Sequence, residues 1–423
     1  MPNAGSRLRF TWLGAPLVVL LSACAIATIP PPDAAEVARL EAAHQRDPNS
    51  PSTALALASA YRLTGRADEA LPLLEEARAE NPGDARVLLL LGTLREEQGD
   101  LDDALEAYRA YLEVEKRGRW PTEVARRIRL LQRKVMVAEA KRLVAQEAEL
   151  ADTEPQPGTV AVYPFLYRGN DPRLEPLGRA LADLLTTDLS QTERLRVLER
   201  SRVQLLLDEM SLSQEGYVDP ATAARSGRLL QAEHVVQGSL TGSGEDVELL
   251  ATVMDVRSAE STGRVEERDA LRRLFDAQRR LAIGIYERLG IQLTQAELDR
   301  IGQPPTQSLD ALLAYGSALE AEDRGDFGAA AELYRQAARL DPNFDAASQR
   351  AVQAAAMNRA QEVPTQAITV AVVTAVVDRT TPLVPDVGPP IPPEKPPAVE
   401  AFDVGPFGGL GILDIILSRP GTP

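Results

Sequence analysis

Small and large residues return along the first third of this chain at an interval of 34 positions: Ala58 falls on Gly92, Gly65 on Gly99, Ala70 on Ala104 and the larger Leu74 on Tyr108. A period of that length belongs to stacked helical hairpins, each too small to bury its apolar face without a neighbour. Aromatic residues make up only 4 % of the chain, which suits cores of Ala and Leu between helices better than a large mixed sheet. The stretch "AAEVARLEAAHQRDPNS" ahead of the first full unit reads as a lone second helix ending at Pro48. Two and a half units lie close to the minimum for a stacked core, so the helix expected from Thr122 to Leu150 is assigned to capping the array, which occupies residues 35–150.

The first unit, "ALASAYRLTGRADEALPLLEEARAENP", carries Ala58, Tyr61, Gly65, Ala70, Leu74, Ala77 and Pro82 at offsets that resemble the tetratricopeptide repeat. In that pattern small residues let two helices approach, a glycine ends the first helix, and a large residue wedges into the next hairpin. The second unit keeps Gly92, Gly99, Ala104 and Tyr108, but has Arg95 at an aromatic position and Lys116 where the closing proline would stand. A further hairpin at 307–360 resembles the same repeat through Gly325, Ala330, Tyr334, Ala337 and Pro342, with an irregular first helix. Its Arg324-Gly325-Asp326 triplet is accounted for by the inter-helix turn. The resemblance implies a concave groove that recognises a peptide or a partner helix; a spacer role is the alternative.

Arg7 and Arg9 precede "TWLGAPLVVLLSA", an apolar run interrupted by Pro16 and too short to cross a bilayer of about 30 Å as a helix. Residues 1–23 therefore read as a signal peptide. Its end, Leu21, Ser22, Ala23 and then Cys24, resembles the lipobox of bacterial lipoproteins, in which the cysteine becomes the acylated N-terminus. An ordinary signal peptide with a cysteine near its cleavage site is the alternative. Cys24 is the only cysteine in 423 residues, and an exported chain has no use for a free thiol that could mispair. The resemblance implies anchoring of the chain to a membrane through acylated Cys24. The same resemblance implies, through Ala25 and Ile26 in place of the aspartate of lipoproteins retained at the inner membrane, sorting to the periplasmic face of the outer membrane. A short proline spacer at 24–34 leads into the helices.

At Pro155, Pro157 and Gly158 the texture changes to strand-like. Residues 158–292 read as βαβααβββα, an α/β layered domain, with a turn at Gly242-Ser243-Gly244-Glu245. Within it, "VAVYPF", the turn at Glu199-Arg200, the helix holding Gly227 and the "VVQGSL" strand at Val235–Leu240 resemble the CsgG family of curli secretion lipoproteins and their relatives. Gln231-Ala232 departs from the Gly-Ala that relatives often carry, and Gln231 is expected on an exposed turn. The family's best-known member is a ring-shaped channel to which each subunit gives long amphipathic hairpins. Two such hairpins are not visible here, so the soluble relatives are the closer guide, with an oligomeric outer-membrane secretion channel as the alternative.

The chain thus reads as an α+β multidomain protein: tetratricopeptide-type hairpins, a CsgG-like α/β layered domain and, at 361–423, a disordered Pro-rich tail whose last stretch is apolar again. The formal charge of -16 and the absence of a basic stripe argue against nucleic acid. With His44, His234 and Cys24 as the whole supply, no structural zinc site can be assembled, and neither histidine stands in a nucleophile motif. Gly238, Gly242 and Gly244 lack the Lys-Ser/Thr of a phosphate loop. No catalytic residues, metal or cofactor are assigned. The expected role is a non-enzymatic protein-interaction scaffold in envelope assembly or secretion, with protein partners met through the repeats and with self-association.

Overall fold

A computed structural model describes residues 31–365, apart from 118, 151, 152, 213, 244 and 302. The segment read as a signal peptide, the lipobox expected at Cys24 and the tail from residue 366 lie outside the described residues.

Helices α1 (Ala34–Arg46), α2 (Pro51–Leu63), α3 (Ala67–Glu80), α4 (Ala85–Gln98) and α5 (Leu101–Val114) form the N-terminal array. Their ends follow from local chemistry. Asp33 Oδ1 accepts from Glu36 N at 2.7 Å and starts α1, and Asp84 Oδ1 accepts from Arg86 N at 2.9 Å to start α4. Gly99 ends α4 at φ +87°, a left-handed conformation that brings Asp100 N to Arg95 O at 2.9 Å and closes the helix. Gly92 is required for a different reason: a Cβ there would sit 2.6 Å from the Tyr108 ring. Tyr108 is fully buried, a gain of about 2–3 kcal/mol in apolar transfer that depends on the missing methyl. Helix α4 is buried all round from Val87 to Leu94, as expected for a central helix in a stack.

Helix α6 (Arg119–Ala145) is followed by α7 (Glu147–Leu150). The single helix expected at Thr122–Leu150 therefore starts earlier and breaks near Gln146. It does more than cap. Val124, Ile128 and Leu131 complete the core of the array, Leu130 packs with Phe327 and Ala360 from the far end of the chain, and Leu143 joins a third core. Apolar residues on more than one face make α6 a shared spine.

The α/β domain comprises β1 (Gln156–Val162), β2 (Leu166–Tyr167), α8 (Leu177–Leu189), β3 (Arg196–Val197), α9 (Arg200–Glu209), α10 (Pro220–Leu229), β4 (Ala232–Ser243), β5 (Asp246–Asp255), β6 (Glu260–Ala270) and α11 (Leu274–Arg288). The sheet runs β3-β1-β4-β5-β6, with β2 alongside β4. Strand β1 is parallel to β3 and β4, whereas β4, β5 and β6 are antiparallel. The two-residue period of β1 sends Val160 and Val162 into one core with Leu181, Leu185, Leu281 and Ile285. Ala161 and Tyr163 enter the opposite core with Val203, Leu207 and Leu229. The expected first strand is split into β1 and β2, and β4 runs on through Gly242 to Ser243, which pairs with Asp246, so the hairpin is tighter than the four-residue turn expected. Gln231 is half-buried rather than exposed and sits at φ +55°. That left-handed conformation explains why glycine suits the position. Gln156 N donates to its carbonyl at 3.0 Å, and Gln156 Nε2 donates to its side-chain oxygen at 2.8 Å.

After α12 (Gln295–Ile301) come α13 (Leu309–Asp323), α14 (Phe327–Leu340) and α15 (Asp345–Glu362). Helix α13 is regular, not irregular, and is capped by Ser308 Oγ, which accepts from Ala311 N at 3.2 Å. The hairpin expected at 307–360 is a three-helix unit, and α15 extends into the segment assigned to the tail. Nor is it a separate bead: Leu312, Tyr315, Leu319 and Tyr334 share one continuous core with α8, α11 and the sheet.

Candidate coupling and interaction site

The same buried device appears in both helical units. In the N-terminal array Tyr108 donates to Glu96 Oε2 at 3.1 Å, and Arg127 from α6 donates to the same oxygen at 2.8 Å while pairing with Oε1. In the C-terminal unit Tyr334 donates to Glu322, and Arg350 from α15 lies 3.5 Å from Glu322 Oε2. Each glutamate stands three residues before the glycine between the hairpin's helices, Gly99 or Gly325, and twelve before the tyrosine. Each arginine comes from the helix that follows the hairpin. The glutamate satisfies a tyrosine hydroxyl that would otherwise be orphaned. Burial, reinforced by Glu96, raises the Tyr108 pKa far above that of a free phenol, so its hydroxyl stays a donor.

Each arginine also reaches out of its own unit. Arg127 Nη1 donates to the carbonyls of Ala360 at 3.0 Å and Val363 at 3.2 Å, and Nη2 donates to Thr365 Oγ1 at 2.6 Å. It thus caps the C-terminal end of α15, where carbonyls lack helical partners. Arg350 Nη2 donates to Asp183 Oδ1 on α8 at 2.8 Å, and Tyr315 donates to Asp183 Oδ2 at 2.8 Å. The Tyr315 ring packs at a tilt between Tyr334 and Phe344, with centroids 5.3 and 4.8 Å away.

Beside Asp183 lies Arg200, the second residue of the Glu199-Arg200 turn. It is 4 % exposed. Its Nη1 donates to Asp323 Oδ1 at 2.8 Å and Oδ2 at 3.0 Å, and its Nε lies 3.5 Å from Asp183 Oδ1. Arg179 Nε donates to Asp323 Oδ2 at 3.2 Å, and Arg133 from α6 donates to the Asp323 carbonyl at 2.7 Å. Burial disfavours the Arg200 cation, but Asp323 and Asp183 outweigh that penalty and hold the group charged. Asp183, Glu322 and Asp323 meet Arg179, Arg200 and Arg350, so the cluster is balanced in charge. Its members come from α8, α9, α13 and α15, which makes it a lock between the α/β domain and the C-terminal helices.

The residues singled out for repeat packing fall in two cores. Ala58, Tyr61, Ala70, Ala104 and Tyr108 belong to the N-terminal one, while Ala330 and Tyr334 belong to the core shared with the sheet. Gly65, Gly99 and Gly325 hold left-handed turns. Tyr61 donates to Glu41 Oε1 at 2.9 Å, under the Arg66 guanidinium 4.0 Å from its ring centroid. Sequence reasoning missed Glu96, Arg127, Asp183, Glu322, Asp323 and Arg350, and gave Arg200 no role beyond a turn. The two glutamates were visible in the repeat alignment. The arginines and aspartates were not, because their partners lie far away in sequence. A shallow depression on the array is lined by His44, Pro48, Pro51, Leu73, Ala77 and Glu80. Among the described residues no His, Cys, Asp and Glu cluster has the make-up of a metal site, and no helix is long and apolar enough to cross a membrane.

Comparison with known proteins places these parts. Residues 156–249 match the family described as curli production assembly/transport component CsgG, and residues 32–85 and 62–120 match tetratricopeptide repeats. Among curated proteins none matches. Of solved structures, the LpoB C-terminal domain from Salmonella enterica is 16 % identical, covering 31 % of this chain and 94 % of its own, at a TM-score of 0.24. The LpoB C-terminal domain from Escherichia coli is 15 % identical, covering 32 % and 98 %, at 0.23. The Naa15/Naa10 complex bound to HypK-THB is 14 % identical, covering 81 % and 60 %, at 0.21. The family matches and the helical geometry together identify a CsgG-family domain flanked by tetratricopeptide-type repeats.

Proposed function

We propose that this chain is a lipid-anchored periplasmic scaffold of the outer membrane, which binds protein partners through its helical array and transmits that binding to the CsgG-type domain. The observation that carries this reading is the α6 spine. One helix closes the array through Val124, Ile128 and Leu131, backs the α/β domain through Leu143, and receives the C-terminal helices through Leu130 and Arg127. An array that were only a spacer would gain nothing from a buried charge cluster that locks it to the C-terminal helices, which a second cluster locks in turn to the α/β domain. The tether fits the same reading: residues 25–33 between Cys24 and α1 reach at most about 30 Å, which would keep the array beside the membrane surface. The matched families act by association, and the role proposed is binding rather than catalysis.

The test is crosslinked pull-down from membranes with the wild type and Cys24→Ala side by side. The expected result is loss of the variant from the membrane fraction together with loss of its envelope partners. A variant that stays membrane-bound with the same partners would refute the tether.

A further inference from the structure

The two edges of the sheet are unequal. Strand β3 has two residues, whereas β6 has eleven and its outer edge pairs with no strand among the described residues. A long edge with no proline is an open template for another strand unless its charges forbid the pairing. The charges on β6 do not simply guard it; they are self-complementary. On the solvent face Arg264, Glu266 and Arg268 alternate in sign, and all three are exposed. Arg268 is already paired, 2.8 Å from Glu266 and 3.1 Å from Glu248. Arg264 makes no ion pair or hydrogen bond among the described residues.

We propose that β6 pairs antiparallel with β6 of a second copy, about a twofold axis at Val265. This register sets Glu266 opposite the partner's Arg264 and Arg264 opposite the partner's Glu266 on the solvent face. On the other face it sets Glu267 opposite the partner's Gly263. Arg288 of α11 lies across Gly263, where a Cβ would strike its side chain, and it too has no ion pair or hydrogen bond among the described residues. Glu267, which already holds Arg280 at 2.6 Å, therefore meets the partner's Arg288. One register satisfies both unpaired cations of this edge, each twice by symmetry. Moving the axis to Glu266 places Arg264 opposite the partner's Arg268, and moving it to Arg264 places that residue opposite itself. Like charges directly opposite are destabilising, so charge favours the Val265 axis over both of its neighbours. The symmetric pairing is isologous and closes at a dimer.

This gives the self-association expected of the scaffold a defined surface, and it rests on neither the acyl anchor nor the array. An eleven-residue edge buries less than the roughly 1,600 Å² of a standard interface, so the dimer is weak in solution and gains from confinement to a surface. The experiment is sedimentation equilibrium of the full chain in detergent, at up to about 100 μM so that a micromolar Kd is populated. It compares wild type, Arg264→Glu, Glu266→Arg and the double exchange, with circular dichroism to check folding. Either single reversal should weaken the dimer at least about tenfold, and the double exchange should restore it to within about threefold. A wild type that stays monomeric overturns the proposal. So does a dimer indifferent to the single reversals, or one that the exchange fails to restore. The pull-down with Cys24→Ala reads the anchor independently, so failure of either reading leaves the other standing.

Discussion

Replacing Arg200 by methionine isolates what the buried lock contributes. Methionine fills the space of the aliphatic stem, so no large cavity opens, and it removes the Nε and Nη2 groups that find no hydrogen-bond partner among the described residues. What remains is the charge imbalance. Asp183 and Asp323, with side chains 9 % and 5 % exposed, keep only Arg350 and Arg179. Stripping one partner from a buried ion pair costs about 3–5 kcal/mol. Because each carboxylate retains a second guanidinium, the lower end applies, about 3 kcal/mol. The α/β domain and the C-terminal helices share one core, so the loss should appear as a single transition lowered by about 6–12 °C, at roughly 2–4 °C per kcal/mol for a unit of this size. Adding Asp323→Asn removes one stranded charge while keeping an acceptor for Arg179, and should return at least about half of the loss. The assay is thermal unfolding of the full chain followed by circular dichroism, with urea titration as a check on cooperativity. If Arg200→Met unfolds within about 0.5 kcal/mol of wild type, or if Asp323→Asn makes it worse, the lock is not an energetic coupling.

Three further outcomes follow from the same geometry. Arg127→Ala strands Glu96 with Tyr108 and the half-exposed Lys134 at 3.6 Å, and uncaps α15; hydrogen exchange of residues 360–365 should rise by at least about tenfold, and unchanged protection would dismiss the clamp. Burial raises the Asp188 pKa to about 7, against a hydrogen bond from Gln278 that lowers it. The folded chain therefore binds more protons than the unfolded one between about pH 4 and 7, and stability falls across that window as pH rises. Asp188→Asn should flatten the slope and, allowing for the residue's partial exposure, stabilise the protein at pH 7.5 by about 2 kcal/mol in urea titrations; a slope that persists would place its origin elsewhere. The full-length chain is expected to give no conductance in planar bilayers, because β4 and β5 commit their apolar residues to the helices packed on the sheet; discrete channel openings would contradict this.

Much of the architecture was legible because it rests on local rules. The 34-residue interval, the left-handed glycines and the wedge of Tyr108 against Gly92 are repeated instructions, and a self-alignment exposes them. The βαβααβββα order of the central domain was readable from period and turn residues apart from the split of the first strand, whereas Gln231, expected on an exposed turn, is half-buried in a left-handed conformation. Errors arose where packing overrode local pattern. The long helix looked like a cap because its second apolar face has no period of its own; Leu130 and Leu143 serve two different neighbours. The C-terminal hairpin looked independent because Gly325, Ala330, Tyr334, Ala337 and Pro342 mark a repeat of its own, while Tyr315 and Leu312 are committed to the core of the α/β domain.

The sequence by itself determined the composition of the parts: tetratricopeptide-type hairpins ahead of a CsgG-type domain, and a further helical unit after it. It could do so because turn, cap and period are decided within a few residues of one another. Only the tertiary structure decided that the parts are not beads on a string. Arg127 meets Ala360 and Val363, and Arg200 meets Asp323, across separations of more than a hundred residues. A buried charge advertises nothing in a sequence where acids and arginines cover the surface. Its meaning appears only when folding removes water and leaves it a single set of partners.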